Sequence, residues 1–286
     1  MTPLQKIKQI FKGIIYKTQC DILSIKSLPF IKTKKEHPQL IVSLTSYGRR
    51  VHKTVYYTLI SLFEQSRLPD RIILWLDEDN FSFDNIPENL RKLQNHGLEI
   101  KFCKDIKSYK KLIPSLEAFP NDIIVTIDDD VVYPKYFINL LYDAYTSHPE
   151  CIQACVAREV EIQNGELVPY NQWRMATKES KSISPIGFGG ILYPPYSLSQ
   201  EVFNEDKFMS ICPSADDIWF FVMAKIKGTK YNYLNIDRSD YFGIDNVYQY
   251  FHKDGALSNI NVKGSNNIDQ LENCIRNYNL LPTDLL

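Results

Sequence analysis

Residues Ile123-Ile124-Val125-Thr126-Ile127-Asp128-Asp129-Asp130, followed by Val131-Val132-Tyr133-Pro134, decide how this chain is read. Five β-prone residues in a row predict a strand buried on both faces, as in the middle of a parallel sheet. The run stops at three adjacent carboxylates. If the strand continues through them, Asp128 and Asp130 point to one side, on the order of 6–7 Å apart. They then repel each other unless something positive lies between. Ligands of open α/β sheets bind outside the carboxyl ends of the strands. An acidic cluster delivered there suits a hard divalent cation, Mn2+ or Mg2+, with Asp130 and Asp128 as ligands. The plainer alternative is a solvated acidic turn ahead of a helix that begins at Pro134.

Outward from this stretch the pattern alternates. Residues 40–44, 71–76 and 98–102 predict further strands. Helical patterns fall between them: an apolar stripe through Val51, Val55, Leu59, Leu62 and Phe63, then residues 87–95 and residues 108–119. Strand and helix in strict alternation over residues 38–130 make a Rossmann-like parallel half-sheet. Past Pro134 a helix carries Tyr136, Phe137, Leu140, Leu141, Ala144 and Tyr145 on its apolar side. A strand is expected over 151–158, and a hairpin over 161–168 turning at Asn164-Gly165. Gly187-Phe188-Gly189-Gly190 reads as a close-approach loop. Ser214-Ala215-Asp216-Asp217 opens a helix that stops at Gly228, and the last stretch is polar and Asn-rich.

A chain of 286 residues, 44% hydrophobic, has room for a substantial core. Its net charge of −1 argues against a dedicated nucleic-acid binder. The 18 Tyr, 15 Phe and 3 Trp exceed what a minimal core needs, and clefts that stack bases or sugar rings use such side chains. Trp173, between Gln172 and Arg174, is a candidate of that kind, or else core. Cysteines 20, 103, 151, 155, 212 and 274 lack zinc-ligand spacing, so reduced thiols in a cytoplasmic protein are expected. No apolar run reaches the roughly 18 residues of a membrane span, and no cleavable signal peptide is recognised.

Charge is unevenly placed. Residues 1–35 hold eight Lys and one acidic residue, Asp21, leaving −8 on the remainder. Thr2 as N-cap, Pro3 and Gln5 predict a helix start with a capping box. Leu4, Ile7, Ile10, Phe11, Ile14 and Ile15 then share an arc of about 140°, with Lys6, Lys8, Lys12 and Lys17 on the other side. Such a helix is either an interfacial anchor on anionic lipid or a helix packed on its own domain or a partner subunit.

Several residues sit where the strand ends of this scheme converge. Thr45, Tyr47, Arg49 and Arg50 follow the first strand and are placed to meet a nucleotide. Asp77 ends the second and is placed to hydrogen-bond a base or ribose. Lys110 and Lys111 are candidates to neutralise phosphate. Each alone is equally a solvated surface group.

Taken in order, the TSYGRR after strand one, Asp77, SYKKLIP, the acidic strand end, GFGG and SADDIW resemble a GT-A glycosyltransferase over about residues 38–260. The likeness is to bacterial enzymes of surface-polysaccharide assembly and, more distantly, to Fringe-type enzymes. It implies an α/β fold with a mostly parallel sheet flanked by helices and a smaller acceptor-side sheet region. It implies a catalytic domain over 36–286, nucleotide-binding in about 38–134 and acceptor-binding in about 135–286, after the helical segment 1–35. The implied activity is metal-dependent, inverting transfer of a hexosyl group from a nucleotide sugar, of the UDP type, to a glycan or lipid-linked acceptor. The implied location is the cytoplasm, peripheral on the inner face of the membrane through residues 1–20.

Residue by residue, the resemblance makes Asp130 the metal ligand and gives Asp128 ribose or metal. His252 becomes a further ligand, and Asp217, with Asp216 second, the base that deprotonates the acceptor. Gly189 and Gly190 approach the donor, and Asp129, pointing the other way in a strand, takes a supporting part in donor binding. Plainer readings stand beside these: Asp216 and Asp217 as acidic residues in a first helical turn, and His252 as a surface residue. Three other classes compete: a Mg-dependent phosphohydrolase of the haloacid-dehalogenase type, a sugar-nucleotidyltransferase, and a non-catalytic carbohydrate-binding protein. Against the first, its Asp motif normally ends the first strand; against the second, the loop after strand one has a single glycine; the third needs no metal cluster.

Overall fold

The computed structural model describes residues 3–245 and 266–286. Helix α1 (Pro3–Ile22) comes first; the expected cap at Thr2 lies outside the described residues. The alternation over residues 38–130 is realised as β1 (Leu40–Thr45), β2 (Arg71–Asp77), β3 (Leu98–Cys103) and β4 (Ile123–Thr126), all mutually parallel where they pair. Between them run α2 (Arg49–Lys53), α3 (Val55–Phe63), α4 (Glu88–Gln94) and α5 (Ile113–Ala118). Residues 108–111, expected to open the helix before β4, belong instead to a separate 3₁₀ turn, Lys107–Lys111.

Period-two alternation along these strands builds a core on each face of the sheet. Leu40, Val42, Leu44, Leu74 and Val125 enter one core beneath Leu59, Leu90 and Phe137. Ile41, Ile73, Trp75 and Ile124 enter the other beneath Ile113, Phe208 and Trp219. Strands apolar on both sides can sit only in the middle of such a sandwich, which is why their runs are nearly continuous in sequence.

The later chain completes the sheet. After β5 (Val131–Val132) and α6 (Phe137–Ser147) comes β6 (Cys151–Ala154); further on, β11 (Ile191–Tyr193) and β12 (Lys230–Tyr233) join it. The order across the seven strands is β12-β6-β11-β4-β1-β2-β3. β11 is antiparallel to both β4 and β6, whereas β12 is parallel to β6, so β11 alone runs against the others. Ile191 opens β11 opposite Thr126, the last residue of β4. The glycine loop therefore arrives at the edge where the acidic stretch departs.

Small antiparallel pairs surround this frame. β7 (Ala157–Glu159) pairs with β10 (Ile183–Pro185), and β8 (Ile162–Gln163) with β9 (Glu166–Leu167) around Asn164 and Gly165, both at positive φ. β13 (Phe242–Gly243) pairs with β5. The strand expected over 151–158 is thus two strands in different sheets. α7 (Glu205–Ile211) leads to α8 (Asp216–Lys227), closed by Gly228 at φ 80°. Ala215, not Ser214, holds the N-cap position; Ser214 instead binds Gln270 of α9 (Asn266–Tyr278) through backbone and side chain. α9 was hidden in the polar tail because its buried stripe is narrow: Gln270, Leu271 and Cys274. Trp173 is core, 2% exposed with its indole N–H given to Val168 O at 2.7 Å.

Candidate active site

β4 ends at Thr126, so Asp128–Asp130 occupy a turn and strand alternation does not set their directions. Their repulsion is relieved by the protein's own cations. Asp129 is buried; its Oδ1 accepts from Arg50 Nη1 at 2.6 Å and its Oδ2 from Ser46 Oγ at 2.6 Å. Burial pushes this carboxyl's pKa up, while Arg50 and Ser46 hold it down. Arg50 Nη2 also lies 3.1 Å from Asp130 Oδ2. The backbone N–H of Asp128 donates to Tyr133 Oη at 3.0 Å, and that hydroxyl donates to Phe188 O at 3.0 Å. One buried phenol thereby ties the acidic turn to the glycine loop.

Lys111 is the hub of a second set of contacts. Its Nζ, buried at the end of the 3₁₀ turn, is 2.8 Å from Asp216 Oδ2, 3.4 Å from Asp128 Oδ1 and 3.5 Å from Asp217 Oδ1. Burial disfavours the ammonium, but Asp216, Asp217 and Asp128 outweigh it and hold its pKa well above the usual lysine value. Ser108 Oγ donates to Asp216 Oδ1 at 2.8 Å, and the Gly187 N–H to Asp217 Oδ2 at 2.7 Å. Three carboxylates around one ammonium leave an excess of two negative charges. Burial, and after it the neighbouring Asp216 and Asp128, push the Asp217 carboxyl up to about 6 against the pull of Lys111. Asp216 Oδ2 and Asp217 Oδ1 are both buried, and among the described residues Lys111 is the cation that faces them.

The glycine loop spends its freedom inside the protein. A Cβ on Gly187 would lie 2.6 Å from Asp217 Oδ1 and 2.8 Å from Lys111 Nζ; one on Gly189 would strike Val156 at 2.5 Å. Gly190 has φ +84° and would place a Cβ 2.3 Å from Phe137 Cζ. Gly190→Ala is therefore expected to cost about 2–4 kcal/mol from backbone strain and overpacking together, read as a lower urea midpoint.

The other sequence-predicted residues scatter. Thr45 Oγ1 donates to Trp75 O at 2.9 Å, and Asp77 Oδ1 closes a turn by accepting from the N–H of Asn80 at 2.9 Å. Tyr47 is exposed, with Arg50 over its ring at 5.4 Å, and so lies beside the acidic turn. Arg49 pairs with Asp245 at 2.5 Å. Lys110, though adjacent to Lys111, is buried the other way against Asp105. His252 lies outside the described residues. Sequence reasoning missed Ser46, Ser108 and Tyr133 as site residues and cast Lys111 as a phosphate-neutralising group rather than a hub. The available signal was two lysines embedded in the apolar run Tyr109–Ile113, where a solvated lysine has no place.

The donor set suits a divalent ion that brings its own partners. Asp128 and Asp130 are hard oxygen donors with side chains 33% and 12% exposed. No three His, Cys, Asp or Glu side chains converge on one point among the described residues. A Mg2+-like ion commonly takes one or two carboxylates and completes its shell with water and substrate phosphates. Among the described residues the pair fits that mode, and not an all-protein cage.

No protein-family model matches the chain, and no curated protein matches it in sequence. Solved structures resemble it at the level of chain path. A mannosyltransferase from Pyrobaculum calidifontis, in complex with GDP-mannose and Mn2+, is 12% identical over 96% of this chain and 83% of its own, with a TM-score of 0.47. A 4-diphosphocytidyl-2C-methyl-D-erythritol synthase is 9% identical over 72% and 92%, TM-score 0.45. A Francisella tularensis 2-C-methyl-D-erythritol 4-phosphate cytidylyltransferase is 11% identical over 74% and 97%, TM-score 0.45.

Proposed function

We propose that the chain is a metal-dependent, inverting glycosyltransferase that moves a hexosyl group from a UDP-sugar to a glycan or lipid-linked acceptor. The setting is surface-polysaccharide synthesis at the inner face of the cell membrane. One observation carries this reading: Lys111 holds the acidic turn after β4 and the acidic pair opening α8 within a single ion cluster. Two carboxylate groups with separate surroundings, side by side at the carboxyl edge of a parallel sheet, suit a reaction with a leaving group and a nucleophile to manage.

In this reading Asp128 and Asp130 hold the ion that comes with the donor diphosphate. When bound, that ion supplies Lewis-acid stabilisation of charge on the departing phosphate. Arg50 keeps Asp130 in place and adds positive charge beside the turn. Exposed Tyr47, braced by Arg50, offers a flat face to the nucleotide base. Asp217 is the base. Asp216 is held closer, 2.8 Å from both Ser108 Oγ and Lys111 Nζ, whereas Asp217 lies 3.5 Å from Lys111 and has its carboxyl raised to about 6.

Incubation with a panel of nucleotide sugars and Mn2+ tests the reading. Release of nucleoside diphosphate is the expected product. Free phosphate from simple esters marks a phosphohydrolase, pyrophosphate from a nucleoside triphosphate and sugar phosphate marks a nucleotidyltransferase, and no turnover marks a binding protein. Chelation with EDTA and the substitution Asp130→Ala are each expected to reduce diphosphate release at least about 100-fold, the scale of several kcal/mol of charge stabilisation. An Asp130→Ala protein fully active in EDTA would sink the metal assignment.

A further inference from the structure

Helix α1 divides its surface into two opposed faces. Gln9, Gly13, Tyr16 and Cys20 fall within an arc of about 60° at 100° per residue, and this face meets the body. A Cβ on Gly13 would come 2.8 Å from Gly243 O, Tyr16 packs edge-on against Phe242 at 5.6 Å, and Cys20 is buried. Tyr57 Oη donates to Asp21 at 2.9 Å at the helix end. The helix is therefore docked, yet not through its apolar stripe. Ile7, Phe11, Ile14, Ile15 and Ile22 lie about 180° away and are 50%, 59%, 50%, 55% and 80% exposed. Of the two readings of this helix, packing on its own domain is met, but through the face opposite the apolar stripe, which stays exposed.

We infer that this outward face of α1 seats the protein on an anionic lipid bilayer, with the helix lying in the plane of the interface. The lysines define the occupant. Lys8 follows one border of the apolar stripe, at the level where headgroups meet a half-sunk helix. Farther round, Lys12 Nζ donates to Ser239 O at 3.2 Å, and on the other border Lys17 lies over the Tyr57 ring at 5.1 Å, so these two bring charge to the rim while touching the body. A second copy brought face to face would set like charges against each other around the rim, whereas an anionic surface complements them. The excess of Lys over residues 1–35 extends the same attraction. No described helix is long and apolar enough to cross a membrane, so the contact is a surface one.

The placement also bears on the site. β13 lies against α1 and pairs with β5, the strand that directly follows Asp130, and the Ile244 N–H donates to Asp130 O at 2.9 Å. A bilayer under α1 thus meets the same structural unit as the acidic turn, which favours an acceptor carried in the membrane. Only that last step rests on the transferase reading; the surface contact stands without it.

The test is co-sedimentation of the full-length protein with vesicles of phosphatidylcholine, alone or mixed with phosphatidylglycerol, in the absence of any donor. The protein is expected to pellet with the mixed vesicles, less so as salt is raised. A Phe11→Glu/Ile15→Glu variant, altered only on the outward face and so expected to melt like wild type, should partition at least about tenfold less. The inference falls if the wild type ignores both vesicles, if neutral vesicles bind it equally, or if the variant binds as well as wild type. It also falls if sedimentation velocity shows a dimer that the same substitutions dissolve. Because no nucleotide sugar is present, failure here leaves the transferase reading standing, and a failed turnover assay leaves this contact standing.

Discussion

Asp217→Asn is expected to lower turnover by about 10³-fold, the middle of the range for a positioned general base, with the Michaelis constant for the donor nearly unchanged. The asymmetry follows from where the side chain sits. Asp217 shares Lys111 with Asp128, but it is not among the groups expected to hold the diphosphate, so its loss leaves donor binding to Asp128, Asp130 and Arg50. Asparagine still offers an oxygen to the Gly187 N–H, now 2.7 Å from the carboxylate, so that donor is not orphaned. It also removes one negative charge from a cluster that has two in excess, which keeps the fold close to wild-type stability. The pH profile supplies an independent sign. A base works deprotonated, and burial raises this carboxyl to about 6. Wild-type turnover should therefore climb about tenfold per pH unit below that value and level off above it. The residual rate of the variant should not show that rise. If Asp216→Asn removes the rise and Asp217→Asn does not, the two residues have exchanged roles.

The parts of this fold legible in the sequence are those where one physical rule acts alone. β1, β2 and β4 are buried on both faces, so Leu40–Thr45, Arg71–Asp77 and Ile123–Thr126 each read as strands from composition alone. The location of the acidic stretch at a strand end was equally plain. Its internal geometry was not, because the strand stops at Thr126 and the turn that follows gives Asp129 to Ser46 and Arg50. β11 has three residues, too few to show a period, yet its reversal is what brings the glycine loop to the acidic turn. Trp173 was open to two readings, core or sugar platform, and the core reading holds because the turn after Pro169 folds the indole beneath Tyr170. Convergence on Lys111 is a tertiary fact, assembled from four separate segments, and no local pattern announces it.

Lys111→Met is expected to be the most destabilising single change in the site, costing about 3–5 kcal/mol, because it removes one partner of a buried ion cluster and strands the rest. Methionine fills the same volume, so lost packing is a small part of that cost. For a chain of this size the change should lower the melting temperature by roughly 2–4 °C per kcal/mol. Arginine is not a conservative replacement: Gly187 Cα stands so close that even a methyl on it would be 2.8 Å from Nζ, and a guanidinium is broader than an ammonium. The electrostatic origin can be separated from packing by pH. Without the ammonium, Asp128, Asp216 and Asp217 face one another with no buried cation between them, so the Asp217 carboxyl, already raised to about 6 against the pull of Lys111, rises further above its value in the unfolded chain. A raised carboxyl pKa means that the folded state binds more protons than the unfolded one, and stability then grows as pH falls. The deficit of Lys111→Met relative to wild type should accordingly shrink from pH 8 to pH 5. Adding Asp216→Asn to Lys111→Met should recover part of the loss at pH 8, a coupling of about 1–3 kcal/mol in a double-mutant cycle. Equal deficits at both pH values, with no recovery in the double variant, would show that Lys111 merely fills space. The acidic turn and the α8 pair would then be two neighbouring groups and not one site.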